Sequence, residues 1–404
     1  MAHDVLCETS RVKLGVTHRA HLQFVRRAGR DSDVILPLPF PLCCGTLAFR
    51  RSRLVSLLLL LVAAGCATRP ESALKRFEFS EPQMGVPFRI VLYAPDAATA
   101  ESSARAAFQR VSQLNDILSD YDTDSELSRL SRTAGSGQAV PLSPELWKVL
   151  ERAQQFSARS DGAFDVTVGP YVSLWRKARR EQKLPRADLL AAARQSVGWQ
   201  KLKLDPKTRS ATLLAEDMRL DLGGIAKGYA LDEALRVLRQ QGVPRALVTG
   251  GGDMAAGEPP PGQRGWRIEV APLDVTNAPP ARFLSLANAG LATSGDLFQR
   301  LEIDGRRYSH VVDPRTGLGL TDHSLVTVIA PDAMTADGLS TAVSVLGPQK
   351  GFACVEETPR AAACVVRMPD KTIQTGESHR FGRYLESTRR KATAPAGGPA
   401  YDLP

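Results

Sequence analysis

The 404-residue chain is poor in aromatic residues (6%) and carries only six cysteines. Cysteines so few and so scattered exclude a disulfide scaffold. The most apolar stretch, Leu54 to Ala64, is eleven residues, too short to cross a bilayer as a helix. No Lys/Arg run interleaved with aromatics is present, so the formal charge of +9 marks no nucleic-acid footprint. Much of the excess lies at one end, where residues 1–65 carry nine Lys/Arg against four Asp/Glu. The remainder is only mildly basic. Internal repeats are lacking, and so are the GxGxxG and GxxxxGK(S/T) phosphate-binding patterns. What is left is an ordinary globular composition, 43% hydrophobic and 24% charged, enough for one large or two modest domains.

The N-terminal excess has a pattern. Arg50, Arg51 and Arg53 precede the apolar stretch, and Gly65 and Cys66 follow it. Charge, then apolar residues, then small residues is the order of an export signal. The ending Val62-Ala63-Ala64-Gly65-Cys66 resembles the lipobox of bacterial lipoproteins, in which the cysteine is diacylated and becomes the new N-terminus. We therefore expect a lipoprotein signal peptide over residues 50–66, with a plain secretory signal as the alternative, and a protein on the periplasmic side of the bacterial envelope. Residues 1–49 fit no part of such a signal and are expected to be a mis-annotated or disordered extension. A tether over 67–77 and a disordered tail over 387–404 complete the expectation. In the exported body Cys354 and Cys364 either pair or stay free and buried.

Between those ends the pattern is mixed α/β. Val86, Phe88, Ile90 and Leu92 alternate as in a half-buried strand. Asp96 can cap the next element, and Ala107, Phe108, Val111, Leu114, Ile117 and Leu118 recur at helical spacing. Ser143-Pro144-Glu145 starts a second helix with a serine cap and an early proline. Residues 176–192 are expected to be a solvated charged stretch, and Pro259 to Gly262 a turn.

Three constellations carry chemistry. Asp221-Leu222-Gly223-Gly224-Ile225-Ala226-Lys227-Gly228 leads into a helix closed by Gly242. A glycine pair before a helix admits close backbone approach, and the helix start offers N–H groups to phosphate, though such a turn also serves structure alone. Asp337 and Thr341 stand four apart after the strand-like Ser324–Ala330; on a helix they present a carboxylate and a hydroxyl to one point, as Mg²⁺ prefers, or simply cap and fill a core. His310, at the end of a short strand before Asp313-Pro314, is either a proton acceptor or a hydrogen-bonded structural residue.

Five ordered segments carry a resemblance: Asp161–Pro170, Leu220–Ala230, Ala292–Asp296, Ser309–Gly317 and Ala330–Asp337. Together they closely resemble the FAD:protein FMN transferases, the ApbE-like family, over roughly residues 78–386. The resemblance implies a single α/β catalytic unit. It implies FAD contacts at Met84, Tyr121, Ala163, Phe164, Asp165, Asp221, Lys227 and Val312, and Mg²⁺ ligation by the Gly224 backbone, Asp337 and Thr341. His310 becomes the candidate general base. The sequence departs from the family pattern at Val86-Pro87, at Ser131 and at Ser340, the last a position that is acidic in some members.

The implied activity is Mg²⁺-dependent transfer of the FMN moiety of FAD to a Thr or Ser hydroxyl of an acceptor protein, with AMP released. The implied acceptor is a membrane redox subunit, and the anchor would hold the enzyme to the membrane. Competing readings are an FAD pyrophosphatase giving FMN and AMP, with water as nucleophile, and a non-catalytic flavin carrier.

Overall fold

The computed structural model describes residues 74–270, 272–273, 281–295, 300–369 and 372–386. Cys66 with its signal segment, residues 1–49, Asp296 and the tail over 387–404 lie outside the described residues. The chain runs β1 (Lys75–Gln83), β2 (Val86–Ala94), α1 (Ala97–Leu118), α2 (Glu126–Ser131), β3 (Val140–Pro141), α3 (Pro144–Arg159), α4 (Gly169–Glu181) and α5 (Ala187–Arg194). It continues through β4 (Leu202–Asp205), β5 (Ser210–Leu213), α6 (Ala226–Gln240), β6 (Ala246–Gly250), β7 (Asp253–Ala256), β8 (Trp266–Val270) and β9 (Arg282–Leu286). Then follow β10 (Ala289–Gly295), β11 (Arg300–Ile303), β12 (Arg306–Ser309), β13 (Ser324–Ala330), α7 (Ala333–Glu356), β14 (Ala362–Arg367) and β15 (Gln374–Glu377).

The helix starts follow local chemistry. Asp96 accepts from Thr99 N to cap α1, and Ser143 accepts from Leu146 N to cap α3. Each such cap stabilises its helix by about 1 kcal/mol. The first strand begins at Lys75, so the last three residues of the expected tether belong to the sheet. Met84 and Gly85, both at positive φ, form the two-residue turn that sets β1 and β2 in register from Gln83↔Val86 to Lys75↔Ala94.

Eight strands form one sheet in the order β1-β2-β6-β7-β10-β13-β14-β15, antiparallel at every step. One face carries the larger core, in which Phe88, Ile90, Val326 and Val328 meet the apolar sides of α1, α3, α6 and α7. The opposite face packs Val91, Leu325 and Ile329 against Trp266, Ile268 and Leu284 of the β8–β9 hairpin and against Phe381. Strand β13 is therefore buried along its whole length. This two-sided burial fits a composition that is apolar on both faces, interrupted only by Ser324 and Thr327.

A third cluster joins Tyr171, Trp175 and Ala178 of α4 to Leu301, Tyr308 and Val312. It corrects the expectation of a solvated stretch from residue 176. Arg176, Arg179 and Arg180 belong to α4, whose inward stripe the neighbouring charges concealed, and the Arg176 side chain is only 22% exposed. Cys354 and Cys364 are both buried and unpaired. No helix among the described residues is long and apolar enough to cross a membrane.

Candidate active site

The glycine turn of residues 223–224 stands where the sequence places it, immediately before α6. Its backbone is already spent in part. Asp221 Oδ1 accepts from Gly223 N at 2.8 Å, and Asp337 Oδ2 accepts from Gly228 N at 3.1 Å. The expected opening of the helix start to phosphate is narrowed rather than removed: a carboxylate occupies one first-turn N–H, that of Gly228, and another holds the Gly223 N–H in the turn before it. A Cβ on Gly224 would stand 2.8 Å from Thr341 Oγ1 and 3.4 Å from the Phe164 ring, so only glycine lets this backbone approach α7 so closely.

Asp337 and Thr341 share one face of α7, as helical spacing requires. Carboxylates hold the start of that helix from two sides. Asp332 accepts from Thr335 N at 2.7 Å, while Asp232 of α6 accepts from Ala333 N and Met334 N, each at 2.9 Å. Asp232 and Asp332 neutralise the positive end of α7 and clamp α6 to it. Burial, and then the charge of Asp332, push the Asp232 carboxyl up to about 7. Ser340, at the variable position, donates to the Asp337 carbonyl at 2.9 Å, which ties it to its own helix.

Lys227 meets Asp337 in space, 3.6 Å between Nζ and Oδ2, although 110 residues separate them in sequence. Its shorter contact is to Asp253 Oδ2, at 2.8 Å. Asp253 was not foreseen. It follows Gly250-Gly251-Gly252, and the positive φ of Gly251 and Gly252 turns β6 into β7 so that the acid enters the site. Three glycines before an acid are the signal that could have found it. Asp253 also accepts from Thr293 N at 3.3 Å. The carboxylates of Asp253 and Asp337 are almost fully buried.

One lysine therefore faces two buried carboxylates. Burial works against the Lys227 charge, but the two acids outweigh it and hold the ammonium above its ordinary range. Burial raises both acids, and Asp337 is pushed up to about 7 by burial and by Asp253, against the opposing charge of Lys227. Among the described residues no hydrogen bond reaches Asp337 Oδ1 or the Thr341 hydroxyl. These oxygens, beside the Gly224 backbone, form a hard donor set that suits a small divalent cation retaining water and substrate ligands. No group of three or more His, Cys, Asp or Glu side chains gathers as a metal site among the described residues.

A second assembly lies by Asp221. Its Oδ2 accepts from Arg176 Nη2 at 3.1 Å, and Arg176 Nη1 donates to Asp120 Oδ2 at 2.5 Å. The same guanidinium lies over the Tyr121 ring, 4.0 Å from its centroid, and Tyr121 is 77% exposed. Burial and Asp120 raise the Asp221 carboxyl, and Arg176 opposes them. Ser131, another departure from the family pattern, accepts from Leu220 N at 3.2 Å and so anchors the segment that enters the glycine turn.

The remaining expected residues divide. Ala163 and Phe164 are buried, and Phe164 stacks edge-on with Phe156 at 5.7 Å between centroids. Asp165 is buried with Oδ1 accepting from Thr167 N and Thr167 Oγ1; burial raises its carboxyl. Its carboxylate organises its own loop. Met84 is half-buried at the β1–β2 turn. Val312 is buried in the third cluster, where Trp175 Nε1 donates to Gly317 O at 2.8 Å, and His310 is exposed at the end of β12.

These features define a class: an antiparallel-sheet α/β protein with a buried acid–lysine centre, two uncommitted oxygen donors and an exposed aromatic next to a glycine turn. The chain belongs to the ApbE family, whose model matches residues 84–366. It is 31% identical over 345 residues to the FAD:protein FMN transferase of Haemophilus influenzae, covering 83% of this chain and 98% of the relative. It is 33% identical over 352 residues to one from Klebsiella pneumoniae, covering 84% and 98%. The flavin transferase ApbE structure from Vibrio cholerae superposes with a TM-score of 0.70 at 29% identity, over 77% of this chain and all of that one.

Proposed function

We propose that the chain transfers the FMN moiety of FAD to a Thr or Ser hydroxyl of an acceptor protein, with Mg²⁺ bound and AMP as leaving group. The observation that carries this reading is the meeting of Lys227, Asp253, Asp337, Thr341 and the Gly224 turn at one point. Within the family assignment, that point is where a pyrophosphate and its cation would sit.

The acceptor hydroxyl oxygen attacks the FMN-side phosphorus as the pyrophosphate P–O bond breaks, and the bonding pair departs on AMP. Such transfer needs positioning and charge neutralisation more than a covalent catalyst. Bound at Asp337 Oδ1, the Thr341 hydroxyl and the Gly224 carbonyl, Mg²⁺ would neutralise phosphate charge and stabilise the leaving group. Lys227 keeps Asp253 and Asp337 together and supplies positive charge beside them. Tyr121 offers an aromatic face to the dinucleotide, and His310 takes the proton of the attacking hydroxyl. The lipobox-like ending at Cys66 supports attachment to the periplasmic side of a membrane, where a membrane redox subunit would be the acceptor.

The test is incubation of the purified chain with FAD, Mg²⁺ and a candidate acceptor, followed by intact-mass spectrometry. An acceptor heavier by one FMN, with AMP in stoichiometric amount, is the expected result. Free FMN and AMP with an unmodified acceptor would overturn transfer in favour of hydrolysis. FAD bound but unchanged would favour a carrier.

A further inference from the structure

Arg176 and Asp120 fall in none of the motifs above and at none of the FAD or metal positions that the family resemblance implies. Yet the Arg176 guanidinium has three partners. It donates from Nη1 to Asp120 Oδ2 at 2.5 Å and from Nη2 to Asp221 Oδ2 at 3.1 Å, and it lies 4.0 Å from the Tyr121 ring centroid. Asp221 in turn holds Gly223 N at 2.8 Å. An unbroken chain of contacts thus leads from the exposed aromatic to the glycine turn.

We infer that Arg176 is a positioning residue for dinucleotide binding: it acts through Tyr121, fixing that ring as a stacking platform. This rests on the FAD reading above. Tyr121 sits in the loop after α1, whose backbone is pinned by Ser119 Oγ, acceptor from Tyr121 N and Asp122 N, and by Ser125 Oγ donating to Ser119 O at 2.5 Å. The loop backbone is fixed, but Tyr121 itself is 77% exposed and belongs to none of the three apolar clusters among the described residues. A planar cation beneath an aromatic ring is attracted by its negative face and leaves the opposite face to a ligand ring. The two carboxylates set the plane of the guanidinium, and the guanidinium sets the ring. Ordering the ring before the ligand arrives removes a rotamer cost from binding.

Two details separate this role from simple cross-linking of α4. Arg176 Nε is buried without a hydrogen-bond partner among the described residues, so the side chain is not placed to maximise its own bonding. A lysine would supply the charge but neither the fork nor the flat surface.

The experiment is a double-mutant cycle read by FAD binding, through quenching of flavin fluorescence, and by steady-state transfer. Arg176→Ala should raise the FAD dissociation constant and KM about tenfold with kcat within twofold. In a Tyr121→Ala background the same substitution should change FAD affinity less than threefold. Arg176→Lys, the variant to use if Arg176→Ala does not fold, should show the same loss and the same non-additivity. Equal losses with and without Tyr121, or a fall confined to kcat, would overturn the inference. Failure of the wild-type chain to bind FAD would instead overturn the reading on which it rests.

Discussion

Lys227 and Arg176 each stand between two carboxylates, yet the two assemblies differ in depth and in what the cation supplies. Lys227 bridges Asp253 and Asp337, whose side chains are 3% and 5% exposed. Arg176 bridges Asp120 and Asp221 nearer the surface and adds a stacking plane for Tyr121. In the interior a point charge is enough, because low polarisability makes each unit of charge costly to leave unbalanced. Around Arg176, whose side chain is as covered as that of Lys227 but whose carboxylates are less deeply buried, a rigid planar cation adds shape to charge. Charge balance is the currency of one end of the site and geometry that of the other.

Substitutions can break this contrast at its deep end first. Asp337→Ala removes the uncommitted carboxylate oxygen, and transfer measured by mass spectrometry should fall by at least about a thousandfold, in line with loss of a principal electrostatic stabiliser. Its unfolding midpoint in denaturant should change little, since relief of one buried carboxylate is offset by the Gly228 N–H that loses its acceptor. Lys227→Met removes the cation instead. It strands two buried acids, and denaturant unfolding should show a loss on the order of 3 kcal/mol. Adding Asp253→Asn to that variant should recover a large part of it.

A pH series sharpens the same contrast. Asp337 is raised to about 7, so the metal-free folded protein holds a proton that the unfolded chain releases above the ordinary carboxylate range. Stability of the metal-free protein should therefore fall as pH rises toward 7, and Asp232, also near 7, adds to that slope. Mg²⁺ needs the ionised carboxylate, so its affinity by calorimetry should rise up to about tenfold per pH unit below 7 and level off above it. A flat profile would mean that Asp337 is already ionised. The smallest effect belongs at the rim: Tyr121→Phe keeps the ring over Arg176 and should alter the KM for FAD less than about twofold, whereas Tyr121→Ala should raise it about tenfold.

Local signals were legible in the sequence. The capping of α1 by Asp96 and of α3 by Ser143, the glycine turn before α6, its end at Gly242, and the helical pairing of Asp337 with Thr341 all rest on neighbours within a turn or two. Hidden features depend on partners far along the chain. Arg176 looked solvated because Lys177, Arg179 and Arg180 surround it, while its carboxylates lie 56 and 45 residues away. The first turn of α6 looked wholly open because Asp337, which takes the Gly228 N–H, lies 109 residues beyond Gly228. Asp253 was the one omission with a local clue, the glycine triplet that turns β6 into β7.

The sheet order has a consequence for synthesis. Strand β7, which brings Asp253, is hydrogen-bonded between β6 and β10, and α7, which brings Asp337 and Thr341, follows β13 on the far side of β10. Met84 belongs to the first hairpin and Thr341 to the last long helix. A product ending before α7 lacks Asp337 and Thr341, so on the reading proposed above metal-dependent uptake of FAD would report chains extended beyond that helix.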